Sequence, residues 1–223
     1  MTMRNKPING AAEVRAFSMP DLRAISDGNV VEGHAAVFGE RANIGGWFTE
    51  VFERGAFDST DFTDVLFSVI NHDMRSLPLA RSRNNNANST LQLKIDDQGL
   101  YTRALLDVER NADALALYSA VERADVSGMS LIFFVRADRW EGLDSELPTR
   151  YVTDVSRVIE VSPASFPAYD GTDINARDQR ALDSAARVLE SARSRLESQN
   201  NERASINEFK SALLGKEVSH SEG

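Results

Sequence analysis

Apolar residues along this chain occur mainly in short runs or in alternation with polar ones, a pattern that predicts a mainly β fold. The runs that predict strands are 30–38, 48–52, 65–70, 130–135 and 150–162. These runs are short and rich in β-branched residues, so they favour strands over helices. Glycine, proline and asparagine separate most of them, as expected for the connecting turns.

A β-hairpin is predicted between residues 91 and 107. Leu91, Leu93 and Ile95 alternate with polar residues, and a second apolar run begins at Leu100. The turn Asp96-Asp97-Gln98-Gly99 lies between them, and the pattern predicts that Gly99 has a positive φ.

Two helices are predicted. The first begins after Asn111, a suitable N-cap, and ends near Arg123. Its predicted buried face consists of Ala112, Leu115, Tyr118 and Val121. The second extends from Asp178 to about Leu214, a stretch without glycine or proline. Leu182, Leu189 and Leu196 lie seven residues apart there, so this helix either covers the protein's own core or docks on a partner.

Composition and charge exclude several classes of protein. With no cysteine, the chain has no disulfides, thiolate nucleophiles or Cys-ligated zinc, and His34, His72 and His220 lie too far apart for a local metal pair. The net charge of −9, from 25 basic and 34 acidic residues, argues against a nucleic-acid binder. The sequence has no apolar run long enough for a membrane helix and no signal-peptide core at its start, so we expect a protein that works inside a cell.

Four residues are candidates for chemistry, each with a structural alternative. His72 follows the run 65–70 and is either a proton shuttle or a structural histidine. Ser130 begins an apolar run after Ser127-Gly128-Met129 and is either a nucleophile or a partner for a strand-end backbone group. Asp154 and Glu160 are six residues apart, so an unbroken strand would place both on one face, where either could orient a histidine or simply face solvent.

Several segments, taken in order, resemble one family. They are Gly33–Phe38, Phe52–Phe57, Asn71-His72-Asp73, Leu77–Arg81, Asp96–Leu100, Ser127–Ser130, Glu160–Pro163 and Phe166–Tyr169. Together they resemble the prohead (capsid maturation) proteases of tailed bacteriophages, a family related in fold to the herpesvirus assembly proteases. The resemblance covers about residues 30–172, and it lies in the order and spacing of the segments.

The resemblance implies catalytic roles for individual residues. His72 matches the general base, Ser130 the nucleophile and Glu160 the acid that orients His72, with Asp154 as the alternative third member. The chain departs from the family pattern at Ala80, where glycine is usual, and at Leu131-Ile132-Phe133. Both departures bear on specificity, because neither replaces the nucleophile or the base.

The predicted fold class is α+β, mainly β, with a small antiparallel barrel-like core, surrounding helices and a C-terminal helical extension. The predicted organisation is a leader over 1–29, a protease domain over 30–175 and a helical extension with a disordered end over 176–223. The leader is taken as either flexible or ordered.

The resemblance implies a serine endopeptidase that needs no cofactor or metal. Its expected substrates are the major capsid protein, the scaffold or its delta segment, and the enzyme itself, inside an assembling prohead in the host cytoplasm. Self-association is compatible with this interpretation, whereas membrane or direct nucleic-acid binding is not expected. The alternative is a non-catalytic scaffolding protein that acts through its C-terminal helix.

Overall fold

The computed structural model describes residues 11–26, 29–69, 76–165 and 179–218, with side chains of the last segment from 182 to 207. The chain divides into two compact units, Met1–Ala185 and Ala186–Gly223. The first contains all the described strands and one complete helix. The second continues a helix that begins at Gln179.

The described strands and helices include every predicted one, together with four strands that the sequence pattern did not predict. They are β1 (Glu13–Ser18), β2 (Arg23–Ile25), β3 (Val30–Val37), β4 (Ala42–Ile44), β5 (Phe48–Phe52), β6 (Asp64–Phe67), β7 (Ala80–Arg83), β8 (Leu91–Ile95), β9 (Gly99–Leu105), α1 (Ala112–Glu122), β10 (Gly128–Glu141), β11 (Thr149–Ala164) and α2 (Gln179–Val218). The prediction of a mainly β, α+β fold with a C-terminal helix is confirmed.

In the part of the chain that the structure describes, the larger sheet has seven strands, with the main order β1-β10-β11-β5-β4. Strand β11 pairs antiparallel with β10 along one edge. Along its other edge it pairs in parallel with β5 near its start and with β6 near its end. Strand β7 pairs antiparallel with β6. The length of β11, 16 residues, allows it to bind two strands in succession on the same edge.

The predicted antiparallel barrel is wrong. The second sheet has the order β2-β3-β9-β8, and in the described part of the chain neither sheet closes on itself. Closure requires the two end strands of a sheet to pair with each other, whereas β1 and β4 lie at opposite ends of the larger sheet's main path. The parallel pairing of β11 with β5 and β6 also departs from an all-antiparallel arrangement.

The hairpin of β10 and β11 is longer and less regular than predicted. Strand β10 continues to Glu141, six residues beyond the end of the predicted run 130–135. Its pairing with β11 contains several register shifts between Ile132 and Asp138. Such bulges bend a strand and change which residues face the core.

Gly99 is required for a reason other than the predicted one. Its φ is not in the left-handed region, so the predicted positive φ is wrong. A Cβ atom at this position would overlap the carbonyl oxygen of Ala36 on the neighbouring strand β3. The hairpin β8–β9 is confirmed, and Gly99 allows β9 to approach β3 closely.

Helix α1 begins as predicted but buries a different face. The side chain of Asn111 accepts hydrogen bonds from the amides of Asp113 and Ala114, which confirms it as the N-cap. The buried residues are Ala114, Leu117 and Val121. Leu115, which belongs to the predicted face, is 52% exposed. The predicted face advanced three residues at a time and so drifted around a helix that has 3.6 residues per turn.

Aromatic side chains from several strands meet in the core of the first unit. The ring centroid of Phe52 lies 5.8 Å from that of Phe17, 5.3 Å from that of Phe57 and 5.5 Å from that of Phe133. Phe17 belongs to β1, so the segment 1–29 that the sequence assigned to a leader supplies both a strand of the larger sheet and a core side chain. The domain boundary at residue 30 stays a prediction.

Candidate active site

Ser130 lies near the start of β10, where this strand is paired on both edges. Its partner is Ala16 on β1 on one side and Ser162 on β11 on the other. The residue is 1% exposed. Because both edges are occupied, an extended peptide cannot add to β10 as a further strand at this position.

Glu160 lies on the same face of the larger sheet as Ser130. It pairs with Ile132, two residues beyond Ser130 on β10, and successive side chains of a strand alternate between faces. Glu160 is therefore a diagonal neighbour of Ser130, with side chains separated by about 7 Å. It is 0% exposed. The sequence thus identified two polar residues that the fold brings together in a buried place.

Ser162 completes this buried polar face. It lies directly opposite Ser130 and two residues after Glu160, and it is also fully buried. The sequence quoted Ser162 only as part of a motif and gave it no role.

Strand β6 approaches the same place from the other edge of β11. Leu66 pairs with Glu160, and the amide of Ser68 donates to the carbonyl oxygen of Val161 at 3.2 Å. His72, the predicted general base, lies outside the described residues. The described chain before it ends at Val69, three residues upstream.

Asp154, the alternative third member, lies elsewhere on β11. It is eight residues from the partner of Ser130, or about 25 Å at the usual rise of a strand. Its side chain is 29% exposed and forms an ion pair with Arg136 at 2.7 Å. The hydroxyl of Ser59 donates to Asp154 Oδ1 at 3.1 Å. Three of the four register shifts in the β10–β11 pairing lie between Asp154 and Glu160, so the even spacing of these two residues does not fix which face each side chain occupies.

The hydroxyl of Ser130 has a main-chain partner on β1. Its Oγ donates a hydrogen bond to the carbonyl oxygen of Arg15 at 2.7 Å. Strand β1 therefore contacts the candidate nucleophile directly.

A buried group of charged side chains, which we call the ion cluster, lies on the core face of β1. It comprises Glu13, Arg15, Glu50 and Arg150, all buried. The Arg15 guanidinium donates to both carboxylate oxygens of Glu50, at 2.8 and 3.2 Å, and to Glu13 at 2.8 Å. The Arg150 guanidinium binds the same two carboxylates, at distances between 2.5 and 2.9 Å.

The ion cluster lowers the pKa of the Glu13 carboxyl despite its burial. Burial alone would raise the pKa of Glu13, but the charges and hydrogen bonds of Arg150 and Arg15 outweigh it and lower that pKa. Burial would likewise lower the pKa of Arg150, and Glu13 and Glu50 raise it instead. The ion cluster was not predicted from the sequence. The sequence does contain a sign of the cluster. Glu13, Arg15 and Phe17 are every second residue, so a strand places the two charged side chains on the same face as a buried aromatic one.

The imidazole ring of His34 contacts two carboxylates. Its Nδ1 lies 2.7 Å from Asp21 and its Nε2 lies 3.1 Å from Asp96, so the ring joins the turn before β2 to the β8–β9 turn. Among the residues that the structure describes, no group of three or more His, Asp or Glu could hold a metal ion. None of the described helices is long and apolar enough to cross a membrane.

A serine and a glutamate on one buried face of a paired strand ladder are compatible with the class of serine hydrolases. Comparison of the sequence with known families supports this class: the family described as Caudovirus prohead serine protease matches residues 18–186, most of the chain. The chain belongs to this family. Searches of curated proteins and of solved structures gave no match.

Proposed function

We propose that this protein is a serine endopeptidase in which Ser130 is the nucleophile, His72 the general base and Glu160 the acid that orients His72. The observation that carries the proposal is the shared buried face of Ser130 and Glu160 on adjacent strands. Family membership supplies the reaction class.

The spacing of these two side chains suits a triad. A separation of about 7 Å between diagonal neighbours leaves room for one imidazole ring that hydrogen-bonds to both side chains. In such an arrangement the ring takes the serine proton during attack, and the carboxylate stabilises the imidazolium that forms. Glu160 is buried, so its charge acts through a medium of low dielectric constant.

The position of β6 supports His72 as the base. This strand runs beside Glu160, and four residues of extended chain after Ser68 span at most about 14 Å. His72 is therefore within reach of the face that carries Ser130 and Glu160.

The proposed substrates are capsid and scaffold proteins of an assembling prohead, and the enzyme itself. The relation in fold to the herpesvirus assembly proteases is part of the same proposal. A second candidate function is scaffolding through α2, whose described side chains from 193 to 207 are all exposed.

A fluorophosphonate probe tests the chemistry without a known cleavage site. In this reaction the Oγ–P bond forms, the P–F bond breaks, fluoride leaves and the serine proton passes to the base. Ser130→Ala should abolish labelling, and His72→Ala should slow it by about 10⁴-fold or more, with both variants folded by circular dichroism. Labelling of Ser130→Ala at the wild-type rate would exclude Ser130 as the nucleophile.

Self-cleavage separates the two candidate functions. Purified wild-type protein should shorten on a gel over time, whereas Ser130→Ala should stay intact. Wild-type protein that is neither labelled nor shortened, yet still assembles with coat subunits, would support scaffolding instead.

A further inference from the structure

The ion cluster is connected to the candidate nucleophile by one short path. The Ser130 hydroxyl donates to the main-chain carbonyl of Arg15, and the side chain of that same residue is fixed by Glu13 and Glu50. Two further hydrogen bonds fix the guanidinium, one to Val14 O at 2.8 Å and one to Ser184 Oγ at 3.2 Å. All these contacts restrain the position of β1 beside Ser130.

The two ends of this path lie on opposite faces of the sheet. Arg15 pairs with Leu131, which is fully buried in the core, whereas Ala16 pairs with Ser130. Because side chains alternate along a strand, the Arg15 side chain points to the core face and Ser130 points to the other face. On this path the ion cluster acts on Ser130 through the main chain of β1, because the cluster lies on the opposite face of the sheet from the Ser130 side chain.

We infer that Arg15 is a positioning residue for the reaction of Ser130. This inference rests on the proposed role of Ser130 as the nucleophile. The fork of the Arg15 guanidinium holds β1 in register against β10, and this pairing fixes the main chain that carries Ser130. The hydroxyl has one proton, so it turns from the Arg15 carbonyl to the base before attack. Because the main chain is already held, only the Ser130 side chain has to turn, and less order is lost in reaching the transition state.

Arg150 provides a matched control. It is as deeply buried as Arg15 and binds the same two carboxylates, with a further hydrogen bond to Asp138 at 2.8 Å. Its main chain, however, pairs with Trp140, far along β10 from Ser130. Lysine at either position keeps the positive charge and loses the planar fork. Arg150→Lys should therefore destabilise the fold at least as much as Arg15→Lys does.

The experiment compares how fast a fluorophosphonate probe labels these two full-length variants. Displacement of a reacting atom by about 1 Å can cost about 100-fold in rate, so Arg15→Lys should lower kinact by up to about 100-fold. KI should not change, because the cluster does not face the probe. Arg150→Lys should lose thermal stability but keep kinact close to the wild-type value.

Ser184→Ala extends the test in case Arg15→Lys does not fold. It removes one contact of Arg15 without leaving a buried charge unpaired, and it should lower kinact in the same direction by a smaller factor. Wild-type kinact in every folded Arg15 and Ser184 variant, or equal losses in Arg15→Lys and Arg150→Lys, would overturn the inference.

A rise in kinact in Arg15→Lys would also overturn the inference, since the wild-type contact with β1 would then slow the reaction of Ser130 instead of assisting it. Labelling of Ser130→Ala at the wild-type rate is a different result, which removes the proposed nucleophile itself.

Discussion

Glu160 and Asp154 are carboxylates on the same strand, six residues apart, and their surroundings differ. Glu160 begins a run of five buried residues that ends at Ala164. Asp154 lies where β11 is partly exposed, and it pairs with Arg136 at the surface. The residue type is similar, so the difference comes from what covers the strand at each point.

The contrast indicates where a carboxylate can affect chemistry. An ion pair near solvent contributes little, because water screens both charges. A buried carboxylate has a large desolvation cost, so it is retained where it has a partner or a role. We therefore propose Glu160 rather than Asp154 as the third member of the triad, since Asp154 lies in a partly exposed ion pair.

The largest expected effect tests this assignment directly. Glu160→Gln should slow labelling of Ser130 by a fluorophosphonate by about 10³- to 10⁴-fold, because the amide cannot stabilise an imidazolium. Asp154→Asn should leave the labelling rate unchanged. Both substitutions preserve side-chain size, so a folded state is expected for each by circular dichroism. The opposite order of effects would transfer the role to Asp154.

The sequence predicted the strands of this site better than their arrangement. The apolar runs around Ser130 and Glu160 predicted β10 and β11, because short apolar runs indicate buried strands whatever their neighbours. The family resemblance then selected Ser130 and Glu160, which the fold places on one buried face. Their catalytic roles stay a prediction.

Other features depend on contacts that a sequence pattern does not contain. The bulges of β11 invalidate an argument from even spacing, and nothing in the local pattern marks them. The parallel pairing with β5 and β6 depends on long-range contacts, so the barrel was an incorrect inference from mostly correct strands. The ion cluster was missed because charged residues are rarely buried. The alternation of Glu13, Arg15 and Phe17 places them on one face of a strand, and the sheet shows that this face is buried.

A stability measurement sharpens the same contrast. Leu131 lies opposite Val161 in the buried part of the hairpin, and Leu131→Ala should lower the free energy of unfolding by about 2–5 kcal/mol. Arg136→Ala removes the exposed partner of Asp154 and should cost less than about 1 kcal/mol. Urea denaturation at pH 7 measures both. Equal losses would mean that the surface pair matters more than its exposure indicates.

The pH dependence of stability distinguishes buried from exposed carboxylates. The pKa of Glu13 is lowered from its ordinary value of 4.5. The ionised group therefore stabilises the folded state above about pH 4.5, and this contribution is lost as the pH falls through the lower folded-state pKa.

Glu13→Gln should thus be less stable than wild type at pH 7 and should show a flatter decline in the free energy of unfolding below pH 4.5. Glu141 also has a lowered pKa, through hydrogen bonds from Arg139 and Tyr151, but its side chain is exposed. Glu141→Gln should follow the wild-type curve closely in denaturation series from pH 7 to pH 3. A Glu141 variant with the larger change would contradict the expected dominance of the buried group.

The smallest expected effect concerns α2, along which burial also changes. Ser184 and Ala185 are buried near its start, whereas every described side chain from 193 to 207 is exposed. Removal of all residues after 192 should leave the labelling rate of Ser130 and the thermal stability unchanged, because no described buried side chain is lost. Removal of all residues after 175 also deletes Ser184, which accepts a hydrogen bond from Arg15 at 3.2 Å, so thermal stability and the labelling rate should both fall.

If the exposed part of α2 docks on capsid or scaffold proteins, the chain ending at 192 should label normally and yet be absent from purified proheads. Normal packaging of that chain would remove the docking role, and loss of labelling would assign the exposed part of α2 to the catalytic unit.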